Sequence, residues 1–185
     1  MAAYYLIAQL PSLDGIGDGA PLPITEERFR SLCCQFLGKA AARRVAQLTL
    51  LPPLRPVKSG SALVDAWNRQ ERDLRLALGQ VRAERMHKAF PMEVQQLPVQ
   101  LFRAARQAAG MDNPLEAEKF LNRQRLDFLE TLRPADPFAE EYLLYYGLKL
   151  KLLLRIRQFD QAAGEAAYRS ICDSILNDDR QEAVS

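Results

Sequence analysis

Apolar residues recur along this chain at the three- and four-residue intervals of amphipathic helices, and the polar residues between them supply start and stop signals. Over 24–38, Ile24, Phe29, Leu32, Phe36 and Leu37 form one stripe. Thr25 is placed as its N-cap, Glu26 and Glu27 suit the positive end of the helix dipole, and Gly38 suits the stop. A second helical region opens at Ser59 or Ser61, with Leu63, Trp67, Leu74, Leu78 and Val81 on helical spacing and Pro91 ending or bending it. Gly79 is a weak point there, costing about 1 kcal/mol against alanine where exposed. Residues 99–110 read as a shorter helix stopped by Gly110.

The next helix, 113–132, has the clearest beginning. Asn113 is an N-cap, Pro114 fits the first helical position and Glu116 completes a capping-box arrangement, together worth about 1 kcal/mol. Asp136 and Pro137 repeat the device ahead of a long apolar helix. A last helix is expected from about Gly164, including Tyr168, Ile171 and Ile175.

Breakers set the limits of these elements. The stretch 11–23 is loop, rich in glycine and proline. Three prolines between 52 and 56 forbid a continuous helix. "YYLIAQL" near the start reads as either a short helix or a strand. No segment shows sustained strand alternation. The expectation is an all-α, irregular multi-helix bundle of about six helices, with a short N-terminal strand or helix. It forms a single domain over 1–185, with candidate hinges near 52–60 and 91–98.

Composition adds little to this picture. The 185 residues are 48% hydrophobic and 26% charged, the balance of an ordinary globular protein. A chain of this length can bury a core without a metal or disulfide staple. The net charge of +2 argues against a strong general field for DNA or an anionic membrane. Up to Phe90 there are 13 basic against 8 acidic residues, and beyond it 12 against 15. Cys33, Cys34 and Cys172 show no framework spacing, and the N-terminus shows no signal peptide, so a cytoplasmic location is expected.

Candidate chemistry is sparse. His87 is the single histidine, placed at a helix C-terminus where the dipole accounts for it. Adjacent Cys33 and Cys34 point about 100° apart on a helix and suit no tetrahedral metal. "GIGDG" lacks the full phosphate-loop fingerprint. Glu116 with Glu118, and Glu140 with Glu141, fall in first turns, where acids complement the dipole. Tyr142, Tyr145, Tyr146, Lys149 and Leu153 make a stripe of the kind that usually faces a core. No catalytic residue, metal or cofactor is expected.

The basic stripe of the second region is more suggestive. Arg69, Arg72, Arg75, Arg82 and Arg85 share the helix that carries Trp67. Arginine favours bidentate pairing with carboxylates or phosphates. Glu71–Arg75 and Asp65–Arg69 are i,i+4 pairs that answer part of this charge locally. These five arginines, with Glu118 and Arg123 of the 113–132 helix, are the candidate protein-contact residues. A nucleic-acid face on the five arginines is the alternative, and an enzyme site assembled from distant acids and arginines is a third.

Three blocks carry a family resemblance: "YYLIAQLPSL", "SALVDAWNRQERDLRLALGQVRAER" and "NPLEAEKFLNRQRLDFLETL". Together they resemble an uncharacterised bacterial family associated with V-type (A/V-type) ATPases. That family is distantly similar to the d-like socket of the rotary ATPase, an all-helical component that sits on the rotor ring and receives the central shaft. The resemblance implies a non-catalytic subunit, assembly factor or regulator. Its partners would be V-type ATPase subunits, with no nucleic acid and no direct insertion into the membrane. A peripheral place at the inner face of the cell membrane would follow. The socket component is much longer, so 185 residues hold part of its plan.

Overall fold

A computed structural model describes residues 2–16, 20–90, 97–158 and 169. Among them are seven helices and no strand: α1 (Ala2–Gln9), α2 (Glu26–Phe36), α3 (Lys39–Ala46), α4 (Ala62–Arg85), α5 (Val99–Ala109), α6 (Pro114–Thr131) and α7 (Glu140–Arg157). The protein is an all-α multi-helix bundle. The ambiguous N-terminal segment is helical. The helix expected from about Gly164, with Tyr168, Ile171, Ile175 and Cys172, lies outside the described residues, as does Pro91.

Several start signals act as expected. The Thr25 hydroxyl accepts the Arg28 N–H at 3.2 Å. Ser61, not Ser59, caps α4, its hydroxyl accepting the Val64 N–H at 3.4 Å. The Asn113 side chain accepts the Leu115 N–H at 2.9 Å, with Pro114 at the first helical position.

Other signals are used differently. Glu116 pairs with Lys119 at 2.9 Å instead of closing a capping box. Asp136 accepts the Phe138 N–H at 2.9 Å in a tight turn, and α7 starts later, at Glu140. Gly38 does not stop α2 through a left-handed conformation. Leu37 and Gly38 are both extended, and Gly38 opens α3, a helix the prolines downstream obscured. The end of α4 precedes Pro91 by several residues. His87 takes φ 53° there, and the Lys88 N–H reaches the Ala83 carbonyl at 2.9 Å while the His87 N–H reaches Glu84 at 3.1 Å. That is the Schellman termination, with histidine in the position glycine usually fills.

Packing divides the apolar residues into two clusters. The larger surrounds α7, which packs against α2, α3, α4 and α6. Every residue from Leu143 to Leu150 is buried, as expected of a helix apolar on nearly all sides. Leu6, Leu13, Phe29, Trp67 and Leu129 join it from the surrounding segments. The smaller cluster is built from Leu74, Ala77, Leu78 and Val81 of α4, Leu101, Ala105 and Ala108 of α5, and Leu121 of α6. Helices α4 and α6 therefore run through both clusters.

Candidate functional surface

Between the two apolar clusters lies a buried polar seam. On α4, Glu71 falls four residues after Trp67 and three before Leu74; on α6, Arg125 falls four after Leu121 and four before Leu129. Helical spacing thus puts both charges on the apolar stripes, facing inward. They meet as a two-pronged pair, Arg125 Nε to Glu71 Oε2 at 2.9 Å and Nη2 to Oε1 at 3.2 Å. Arg125 Nη1 also donates to Asn122 Oδ1 at 2.9 Å and to Glu118 Oε1 at 3.4 Å. Glu118 accepts Arg155 Nη2 of α7 at 2.6 Å, and Glu71 accepts Arg75 Nε at 2.8 Å. One chain of charge-assisted bonds therefore joins α4, α6 and α7. A cavity of about 30 Å³ beside it, lined by Trp67, Glu71, Leu101 and Arg125, is about the size of one water.

A second polar group sits inside the larger cluster. Lys149 of α7 donates to Asp14, to Glu130 at 2.6 Å and to the Tyr145 hydroxyl at 3.3 Å. Burial alone would lower the ammonium pKa, but the Asp14 and Glu130 carboxylates outweigh it and hold Lys149 above its ordinary value. Lys149 in turn lowers Asp14, against the smaller opposing effect of burial. Tyr145 is pushed up to about 12 by burial and by its 2.7 Å hydrogen bond to Glu130. Tyr145 and Tyr146 belong to the core, as their stripe suggested.

The candidate contact residues fall into two groups. Arg72 is half-buried and donates to the Pro53 carbonyl at 3.0 Å, Arg75 binds Glu71, and Glu118 bridges α6 to α7. These three are engaged within the fold. Arg69, Arg82 and Arg85 are exposed and make no ion pair among the described residues, while Arg123 is exposed beside Asp127 at 3.6 Å. Asp65 does not pair with Arg69 but accepts the Ser59 N–H at 2.8 Å, which lowers its pKa. The first-turn acids also reach outward from their helix: Glu140 binds Arg44, and Glu141 accepts the Ser61 hydroxyl at 3.2 Å.

Sequence reasoning missed Arg125, Asn122, Asp14 and Glu130. For Arg125 a signal existed, a charge in register with the apolar stripe of α6. Asp14 and Glu130 lie 135 and 19 residues from Lys149, and nothing local links them.

The larger concavities are open grooves. One of about 470 Å³ runs beside the 49–61 connection, lined by Arg44, Leu51, Val57, Val64 and Leu144. Another, of about 780 Å³, lies between the start of α2 and the end of α7. No group of three or more His, Cys, Asp or Glu side chains is arranged to hold a metal among the described residues, and no described helix is long and apolar enough to cross a membrane. Fold and geometry define an all-α bundle whose buried charges fasten helix to helix. No protein-family model matches the chain, and no curated protein or solved structure is significantly similar to it.

Proposed function

We propose that this chain is a non-catalytic interaction subunit or accessory factor of a bacterial V-type ATPase, acting at the rotor or central stalk. The observation that carries the reading is the resemblance of three separated blocks to the ATPase-associated family. These blocks are the framework of the bundle. Leu6 and Leu13 of the first, Trp67 of the second and Leu129 of the third share one core, and Glu71 and Arg125 tie the second block to the third. An all-helical architecture suits a part built like the rotor socket. Exposed Arg69, Arg82, Arg85 and Arg123 are the charges left to meet a partner, where they set orientation and encounter rate more than affinity. Attachment to the membrane would be peripheral, through the complex.

Affinity purification of the ATPase from the native cell tests this directly. The chain is expected in the complex, or bound to it at low ionic strength. An intact ATPase that lacks it under both conditions would falsify the reading. The nucleic-acid alternative loses two of its five arginines, Arg72 and Arg75, to contacts within the fold. Its test is retardation of DNA or RNA at low salt, which is expected to be absent.

A further inference from the structure

The connection between α3 and α4 holds apolar side chains in solvent. Leu54 is 101% exposed, Val57 64% and Leu51 56%. Exposed Arg55 and Lys58 alternate with them and form no ion pair among the described residues. Stray aliphatics on a surface mean little singly, but here three fall within seven residues of one loop.

This loop is held, not frayed. Pro52, Pro53 and Pro56 fix φ at three positions and restrict Leu51 and Arg55 before them. At one end the Leu51 N–H meets the Thr49 hydroxyl at 3.1 Å, and at the other the Ser59 N–H meets Asp65 at 2.8 Å. Between them Arg72 reaches from α4 to the Pro53 carbonyl at 3.0 Å. The chain bends at Leu54 and Arg55, which puts Leu54 at the tip.

We infer that residues 51–58 are a preformed docking knuckle. Leu54 and Val57 enter an apolar pocket of another protein, and Arg55 and Lys58 meet carboxylates on that pocket's rim. A loop already stiffened by proline loses little conformational freedom on binding, which favours a shaped pocket. Two unanswered cations beside the aliphatics select an acidic rim and disfavour a basic one. A lipid surface rewards no fixed shape, and the interfacial anchors it favours, tryptophan and tyrosine, are missing from this tip. The knuckle is independent of the ATPase reading, because its partner is defined by a pocket and not by membership of a complex.

The test places a photoreactive amino acid at position 54 of the full chain in the native cell, with position 119 as an exposed control. Crosslinked peptides are then sequenced. The expected product is a single protein joined at an apolar pocket flanked by Asp or Glu, formed at 54 and not at 119. Leu54→Asp should weaken binding to that purified partner by about thirtyfold, the loss typical of a central anchor, with thermal stability unchanged. If the partner lies outside the ATPase, the docking inference holds and the ATPase reading fails. Crosslinks to this chain itself, to lipid, or equally from both positions overturn the inference. So does Leu54-dependent sedimentation with phosphatidylglycerol vesicles in place of a protein product.

Discussion

Glu71 and Arg125, 54 residues apart, bind each other through both carboxylate oxygens at the point where one apolar cluster gives way to the next. Their side chains are only 3% and 7% exposed. Removing either partner leaves the other charge buried, a loss of about 3–5 kcal/mol. Replacing both with apolar residues of similar size removes the desolvation penalty along with the attraction. Chemical denaturation of Glu71→Leu, Arg125→Met and the double variant checks this. Each single variant should lose about 3–5 kcal/mol, and the double should fall within about 1 kcal/mol of wild type. Additive losses would mean that the two side chains contribute separately.

Lys149 offers a contrasting asymmetry. Its side chain is 8% exposed, while Asp14 and Glu130 are 50% and 40% exposed. The carboxylates can return to water when the lysine goes; the ammonium cannot when they go. Lys149→Met is expected to stay within about 1 kcal/mol of wild type, and Asp14→Asn with Glu130→Gln to lose about 3 kcal/mol. Equal losses from the two variants would show that water does not rescue the carboxylates.

The same group sets a pH dependence. Lys149 is raised above its ordinary 10.5, so its contribution is complete below about pH 10 and fades as pH climbs through the folded value. Tyr145 acts in the same direction, because its phenol ionises near 10.0 when unfolded but at about 12 when folded. Asp14 is lowered below 3.8, so its contribution is present above about pH 4 and lost as pH falls further. Stability measured against pH should be flat between these limits. Tyr145→Phe with Lys149→Met should make the alkaline fall shallower, and Asp14→Asn the acid fall.

His87 holds a left-handed conformation at the end of α4. An L-residue is disfavoured there by about 1–2 kcal/mol, and glycine is not. Glycine is also freer when unfolded, so His87→Gly should stabilise by about 0.5–1 kcal/mol net and raise Tm by about 2 °C. An unchanged or lower Tm would mean that the imidazole makes a compensating contact.

Gly147 lies mid-helix in α7, where alanine would ordinarily help. A Cβ there would stand 2.7 Å from Leu48 Cδ1 and 3.1 Å from Phe29 Cε1. Gly147→Val is therefore expected to cost about 1–3 kcal/mol by overpacking. Gly79 is similarly occupied, by the Phe90 ring, which explains a glycine that the helix pattern alone made a weak point.

The adjacent cysteines separate by burial. Cys33 is buried and its thiol is pushed up to about 12, mainly by desolvation, whereas Cys34 is exposed. In a Cys172→Ser background, a thiol reagent near neutral pH should label Cys34 quickly and Cys33 only on unfolding.

The chain's local signals were sufficient for helix type and for most starts. The Thr25, Ser61 and Asn113 caps act within three residues, and the stripes of α2, α4 and α6 repeat at helical spacing, so each is written in adjacent residues. Glu71–Arg75 was legible for the same reason. The Glu71–Arg125 pair, the Lys149 site and the exposure of Leu54 were decided by tertiary structure alone. They depend on which helices lie side by side, and sequence spacing does not specify how far a helix face stands from residues fifty or a hundred positions away. Burial then changes what each charge is worth: the same arginine is a solvated surface group at position 82 and a desolvated fastener at position 125.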